Sequence, residues 1–318
     1  MKKISSAHLL LVVLVALQLA VSLIVGLLVG RFGISLPVVF SLLISQLTLI
    51  LPFAVYCIIT RSNPLKLIRF KKIGGGTVAM ALLVILFSYP VIIVLNMISM
   101  MFVDNAMMDI MPSAVSMGLP LAVLFMAVIP SIVEETVFRG TIYNTYSRRK
   151  PLAGIFLSAL IFGLMHMNFN QMPYAFYMGI VMAFMLEASD SIVTTMIMHF
   201  TLNGFSTVIS YLSMNVLNNL ADNGLTSELT GSYSQVYMEM LGPLLAVAVV
   251  ALVIVAVLIY VTFVINHRNP KLKFSAPHED TAYVAGLGGK MKKNRMVDIF
   301  LAIFVIYALI QCILSAVA

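Results

Sequence analysis

Charge is what this sequence has least of. Asp, Glu, Lys and Arg make up 10% of its 318 residues, where a soluble globular chain carries about 25%. With 61% hydrophobic residues and a mean hydropathy of +1.06, that scarcity excludes an ordinary water-soluble domain. Cysteine is nearly missing too. Cys57 and Cys312 both fall inside apolar runs, which excludes a disulfide framework and a thiolate metal site. Acidic residues are outnumbered, 12 against 19 basic ones, for a formal net charge of +7. The basic residues gather in short blocks between apolar spans, the distribution a membrane protein needs, so nucleic acid is not the expected partner. No internal repeat is detectable, and in particular no pair of interrupted helices in inverted order, which weighs against a transporter.

What is there is lipid-compatible length. A spanning helix needs roughly 20 apolar residues, and about nine segments qualify or nearly do: 6–30, 34–59, 76–101, 114–146, 152–166, 172–187, 191–211, 240–265 and 297–317. The first follows a basic flank, yet it runs uncharged from Lys3 to Arg31, too long for a signal core and without a clear cleavage site. It is expected as a retained helix. The fourth carries Pro120 and Pro130, either able to kink it. The fifth and sixth come from one uncharged stretch broken at "HMNFNQMP".

Lys2 and Lys3, the block Arg61–Lys72, the run Arg148–Lys150, and the loop holding Arg268, Lys271, Lys273, Lys290, Lys292, Lys293 and Arg295 all fall on one side if nine spans are counted. The loop with Glu187 and Asp190 joins that side without a basic residue, so it counts neither for nor against this arrangement. The reading is an all-α, polytopic transmembrane helix bundle of about nine spans with a cytoplasmic N-terminus and an external C-terminus. It divides into N-terminal transmembrane helices at 1–113, core helices at 114–212, and a tail at 213–318. The tail comprises an external loop, a transmembrane helix, a basic cytoplasmic loop and the last transmembrane helix. The external segment 212–239 is polar enough to hold an interfacial helix, and the loop 266–296 is weakly patterned.

Against this background the stretch "MAVIPSIVEETVFRG", Met126 to Gly140, is conspicuous, because ionisable groups in an apolar span are expensive. Counted from the basic ends, Glu134 and Glu135 lie about 20 Å up one helix, His166 about 24 Å up the next, and His199 about 14 Å up a third, with Asn203 one turn above. The other histidines, His8, His267 and His278, sit near loops or termini. Glu135 and Arg139, four residues apart, can pair, while Glu134 is rotated by about 100° and can join the two histidines. Phe162 and His166 share a face, as do His199 and Asn203. A carboxylate with two imidazoles suits a divalent metal such as Zn2+, or activates a water as general base, and Asn203 can donate to an oxyanion. Bland readings stand beside these. Glu135–Arg139 is equally well a structural ion pair, a lone histidine is more often an interhelical hydrogen-bond partner, Phe162 alone is core, and Gln46 and Asn96 are interhelical contacts.

Three short patterns nevertheless occur in order: "EETVFR" from Glu134 to Arg139, "FGLMH" from Phe162 to His166, and "HFTLN" from His199 to Asn203. Together they resemble the motifs of the CPBP membrane proteins, which include type II CAAX prenyl endopeptidases and bacterial bacteriocin-processing and immunity proteins. The resemblance covers about residues 120–212. It implies an intramembrane endopeptidase of glutamate type, often described as a metalloprotease. By the same resemblance Glu134 activates water, His166 and His199 line the cavity, Asn203 supports the oxyanion, and Glu135, Arg139 and Phe162 are supporting. Glu134, His166 and His199 are then the candidate ligands for zinc or another divalent ion. The soluble zincin signature H-E-x-x-H is absent. The expected partners are a membrane-embedded or lipid-associated peptide or protein substrate and the bilayer of a cell membrane, a bacterial plasma membrane, with the cavity open toward the cytoplasmic side. The alternative is a non-catalytic bacteriocin-immunity or scaffold protein.

Overall fold

Apolar runs of this length have one solution in lipid: each must satisfy its own backbone hydrogen bonds as a helix. The computed structural model of the chain describes residues 4–34, 36–105, 110–147, 150–222, 233–270 and 297–317, and these are helical with no strand among them. We number the long helices α1 (Ile4–Phe32), α2 (Val38–Ile59), α3 (Gly75–Met100), α4 (Leu119–Ser147), α5 (Pro151–Leu164), α6 (Met172–Ser189), α7 (Ile192–Asp222), α8 (Tyr233–Ile265) and α9 (Ile299–Val317). Eight are long and apolar enough to cross a membrane, and the protein is a multi-pass membrane protein. The exception is α5, whose 14 residues extend only about 21 Å against a core of about 30 Å. α5 and α6 pack side by side as a hairpin, with Gly179 so close to Ala159 that an added Cβ would sit 2.8 Å from its Cα. The hairpin tip, His166–Gln171, carries the polar residues between the two helices. A polar tip is tolerable because it lines a cavity.

Breaks in α4 set the site. Pro120 lies in the first turn of the helix and does not kink it. Pro130 has no N–H for the carbonyl of Met126 four residues back and its ring crowds that carbonyl. The chain answers with a π-helical segment, Leu124–Val128, immediately before it, and a second one, Phe138–Tyr143, follows the two glutamates.

One end of the bundle is tied by polar contacts between helix termini. Asn144 Nδ2 donates to the Leu67 carbonyl (2.6 Å), the Ile192 amide to the Arg69 carbonyl (3.2 Å), and Thr77 Oγ1 to Asn266 Oδ1 (3.1 Å). Arg69 and Arg268 reach Asp190 at 3.5 and 3.0 Å, and Lys71 pairs with the same carboxylate. The described basic residues Arg69, Lys71 and Arg268 thus gather at this end, which we call the basic end. The Glu187–Asp190 loop, which carried no topological signal of its own, is the acidic partner of these basic residues. Glu187 is fully buried and accepts from Arg69 (2.8 Å) and the Tyr143 hydroxyl (3.0 Å). His8 lies near the terminus as expected, early in α1. It is buried at the same end, with Nδ1 2.7 Å from Asp298 and Nε2 against the Tyr146 hydroxyl. Lys2, Lys3, Arg148, Arg149, His278, Glu228 and the basic residues from Lys271 to Arg295 lie outside the described residues. Within 212–239, α7 continues to Asp222 and α8 begins at Tyr233, so the described part extends the two flanking helices.

Candidate active site

A cavity of about 510 Å³ lies among α2, α3, α4, α6 and α7, and Glu134, Phe162, His166, His199 and Asn203 all line it. Glu135 and Arg139 do not. They stand behind it, with side chains 0% and 3% exposed against 18% for Glu134. Adjacent glutamates on one helix differ in direction by about 100°, which is why one reaches the cavity and the other the interior.

The buried pair is the i,i+4 contact its spacing suggests, Arg139 Nη1 to Glu135 Oε1 at 2.9 Å. The contact is one of charge proximity, because both Nη atoms lack an aligned hydrogen-bond acceptor among the described residues. Arg139 has a second support: its guanidinium lies 3.9 Å above the Phe162 ring. A cation on an aromatic face is worth up to about 2 kcal/mol when desolvated. Phe162 is more than core. Its ring also meets those of His166, His199 and Phe138 edge-on, at centroid distances of 5.0, 6.1 and 5.2 Å.

Both histidines are oriented from behind. His166 Nδ1 lies 2.9 Å from the carbonyl of Phe162; a carbonyl only accepts, so Nδ1 carries the proton. His199 Nδ1 lies 2.9 Å from Glu135 Oε1, and the same logic protonates it there. Each neutral ring then has an unprotonated Nε2. That of His199 stands 3.9 Å from Glu134 Oε2, and Gln46 Nε2 approaches Glu134 Oε1 at 3.5 Å. Glu135 therefore serves Arg139, as its spacing suggested, and also fixes the tautomer of His199.

Asn203 Nδ2 donates to the Met126 carbonyl at 3.1 Å, the oxygen that Pro130 cannot serve. One of its two N–H groups is thus used, leaving one. Asn96 and Asn170 also border the cavity, joined by an Asn170 Nδ2 to Asn96 Oδ1 bond of 2.9 Å. The sequence marked Asn96 and Gln46 only as interhelical contacts. Their signal was the same as that of the histidines, a polar side chain in an apolar run.

Two neutral imidazoles and a carboxylate are donor types that suit zinc. As placed, the described residues contain no group of three His, Cys, Asp or Glu side chains close enough to hold one ion. The cavity also departs from expectation in direction. Among the described residues, none that lines it belongs to the loops of the basic end, whereas Asn105, Ile110 and Met111 come from the connection between α3 and α4 at the other end.

Compared with known proteins, residues 116–205 match the family described as type II CAAX prenyl endopeptidase Rce1-like. A stretch of 106 residues is 28% identical to the membrane-embedded CAAX protease MroQ of Staphylococcus aureus (strain USA300), covering 31% of this chain. The chain spans less than half, 43%, of that relative's length. No solved structure matches.

Proposed function

We propose, from the match of residues 116–205 to the Rce1-like family and the similarity to a membrane-embedded CAAX protease, that the protein is an intramembrane endopeptidase of the CPBP family working by glutamate-activated water. The observation that carries the reading is the 3.9 Å separation of Glu134 Oε2 and His199 Nε2 at the wall of the cavity. A water between them can hydrogen-bond to both at ordinary distances. Its oxygen attacks the peptide carbonyl while Glu134 takes the proton, and the carbonyl π electrons move onto oxygen. The free N–H of Asn203 donates to that oxyanion. Collapse breaks the C–N bond as Glu134 hands its proton to the leaving nitrogen. His166 and His199, held with Nε2 unprotonated, orient the water. Glu135, Arg139 and Phe162 hold His199 and the helix face in place. Glu134, His166 and His199 are the residues that would ligate a divalent metal. We place the N-terminus in the cytoplasm and the protein in a bacterial plasma membrane on the strength of the basic loops and the family.

The test is Glu134→Gln, which keeps size and much of the hydrogen bonding but cannot accept the proton near neutral pH. Cleavage of membrane-protein and lipopeptide substrates should fall about 10²–10⁴-fold while thermal stability in detergent stays unchanged. Retained cleavage in this variant removes Glu134 from the reaction. Loss of wild-type cleavage on chelation, with metal content falling in parallel, would add a bound ion to the scheme. A protective phenotype that survives Glu134→Gln moves the weight to a non-catalytic immunity or scaffold role.

A further inference from the structure

The cavity holds more than the reacting groups. Six carboxamides line it, Gln46, Asn96, Asn105, Asn170, Gln171 and Asn203. Glu134 is its only carboxylate, and no Lys, Arg or Asp lines it among the described residues. An amide carries a donor and an acceptor side by side, the same pair that a peptide group presents. A peptide in a water-poor site must have its backbone groups satisfied, and a wall of amides does this without selecting charge. An acidic side chain there finds no Lys or Arg to pair with among the described residues.

The amides continue toward one end. Counting along α7 from Ile192 at the basic end, His199 is about 10 Å up, Asn203 about 16 Å and Ser210 about 27 Å. On α3, Asn96 is about 31 Å from Gly75, and its partner Asn170 is held in turn by Ser99 Oγ, which donates to the Asn170 carbonyl at 3.1 Å. Ser206, Ser210, Asn105 and Ile110 carry the lining outward from there. The polar path from Glu134 therefore leads to the end opposite the basic loops, past the Asn96–Asn170 pair.

We propose that the substrate is an extended, uncharged peptide segment that reaches Glu134 from the face opposite the basic loops, with Asn96 and Asn170 binding its backbone. The proposal deepens the peptidase reading and rests on it for the word substrate, but its test requires no turnover. Single cysteines are placed at Ser210, at Ile110 as a second mouth position, and at Lys66 on the basic end, in chains carrying Cys57→Ala, Cys312→Ala and Glu134→Gln. An impermeant maleimide is applied to membrane vesicles of either orientation. Ser210→Cys and Ile110→Cys should label from the side on which Lys66→Cys does not. Labelling of all three from one side overturns the route.

A neutral peptide rich in Ala, Ser, Gln and Leu is then added on the Ser210 side, in parallel with the same peptide bearing two aspartates. The neutral peptide should slow the labelling of Ser210→Cys at least about tenfold more than the charged one, given the cost of an unpaired charge at membrane depth. Asn170→Leu should remove that protection. Equal protection by both peptides, protection by neither, or protection that survives Asn170→Leu overturns the substrate class. If Glu134→Gln still cleaves while the labelling pattern holds, the catalytic assignment fails and the binding cavity stands.

Discussion

Glu135 and Glu187 are built alike and end differently. Each is a fully buried carboxylate whose Oε1 meets an arginine and one further donor. For Glu135 these are Arg139 at 2.9 Å and His199 Nδ1 at 2.9 Å. For Glu187 they are Arg69 at 2.8 Å and the Tyr143 hydroxyl at 3.0 Å. Glu135, Arg139 and Tyr143 even follow one another at four-residue intervals on α4, so a single helix serves both networks. The difference is the third group. Tyr143 is fully buried, and its hydroxyl ends the chain of contacts at Glu187. Arg69 adds Ser147 (3.0 Å) and Asp190 at the same helix ends. His199 has a second nitrogen, and it faces Glu134 at the cavity. A buried carboxylate–arginine pair is therefore no sign of chemistry in this protein. What distinguishes the candidate site is a donor with two ends, one anchored in the pair and the other facing a half-buried carboxylate.

The strongest way to break the comparison is to remove each arginine in turn. Arg139→Met and Arg69→Met both leave a buried carboxylate without its cation, which costs about 3–5 kcal/mol. Folded yield and thermal stability in detergent should drop for both. Glu135→Gln should recover much of the loss in the first, and Glu187→Gln in the second, because a neutral amide needs no counter-ion. Activity should separate them. Arg69→Met with Glu187→Gln should cleave normally per folded molecule. Arg139→Met with Glu135→Gln should remain impaired, because a glutamine holds the His199 tautomer less firmly than a carboxylate. Equal activities in the two rescued proteins would make both networks merely structural.

How much of this was legible beforehand follows the range of the contact. Glu134, Glu135, His166 and His199 stood out because ionisable residues in apolar runs are costly, and the i,i+4 spacing of Glu135 and Arg139 was enough to foresee their contact. The all-α, multi-pass architecture followed from run length alone. Phe162 under Arg139 was not legible, since a phenylalanine in an apolar helix carries no signal until its neighbours are known. Arg69 and Glu187 are separated by 118 residues, and nothing local says which basic block an acidic loop will meet. His8 was placed near the terminus correctly, but its burial against Tyr146 and Asp298 was not legible, since both partners are distant in the chain. The direction of the cavity was lost because depth along a helix says nothing about where the helices part. The Pro130 effect lay between these cases: a break was foreseeable, but that the freed Met126 carbonyl would take Asn203 required the neighbouring helix.

A smaller effect should come from Gly140, which lies between Arg139 and Tyr143 and so between the two networks. A Cβ built there falls 2.6 Å from Ile68 Cγ2 and 3.2 Å from Ile68 Cα. The second distance involves backbone and cannot be relieved by a rotamer change alone. Gly140→Ala should therefore cost about 1–3 kcal/mol, the usual penalty for overpacking. It should loosen both networks, lowering thermal stability and cleavage together. Wild-type stability would mean that the Arg61–Lys72 connection yields freely, and the shared helix would lose its part in the comparison.

The smallest effect belongs to the rim of the Glu187 network and is read through pH. Burial raises the carboxyl of Asp190, but Lys71, Arg268 and Arg69 outweigh it and hold its pKa below the ordinary carboxylate value. A group with a depressed folded pKa adds stability that is present above its unfolded value, about 3.9, and lost as pH falls through the folded one. Asp190 sits at φ +57° at the end of α6, a conformation that asparagine also accepts. Asp190→Asn thus removes the charge without straining the turn. At pH 7 the variant should be less stable by no more than about 1 kcal/mol, as for a partly exposed ion pair. The gap in thermal stability between wild type and variant should close as pH is lowered from 5 through 4 and below. Cleavage should not change at pH 7, because this carboxylate lies at the basic end and the cavity opens at the other. A gap that widens in acid would reverse the sign and mean that burial dominates at Asp190.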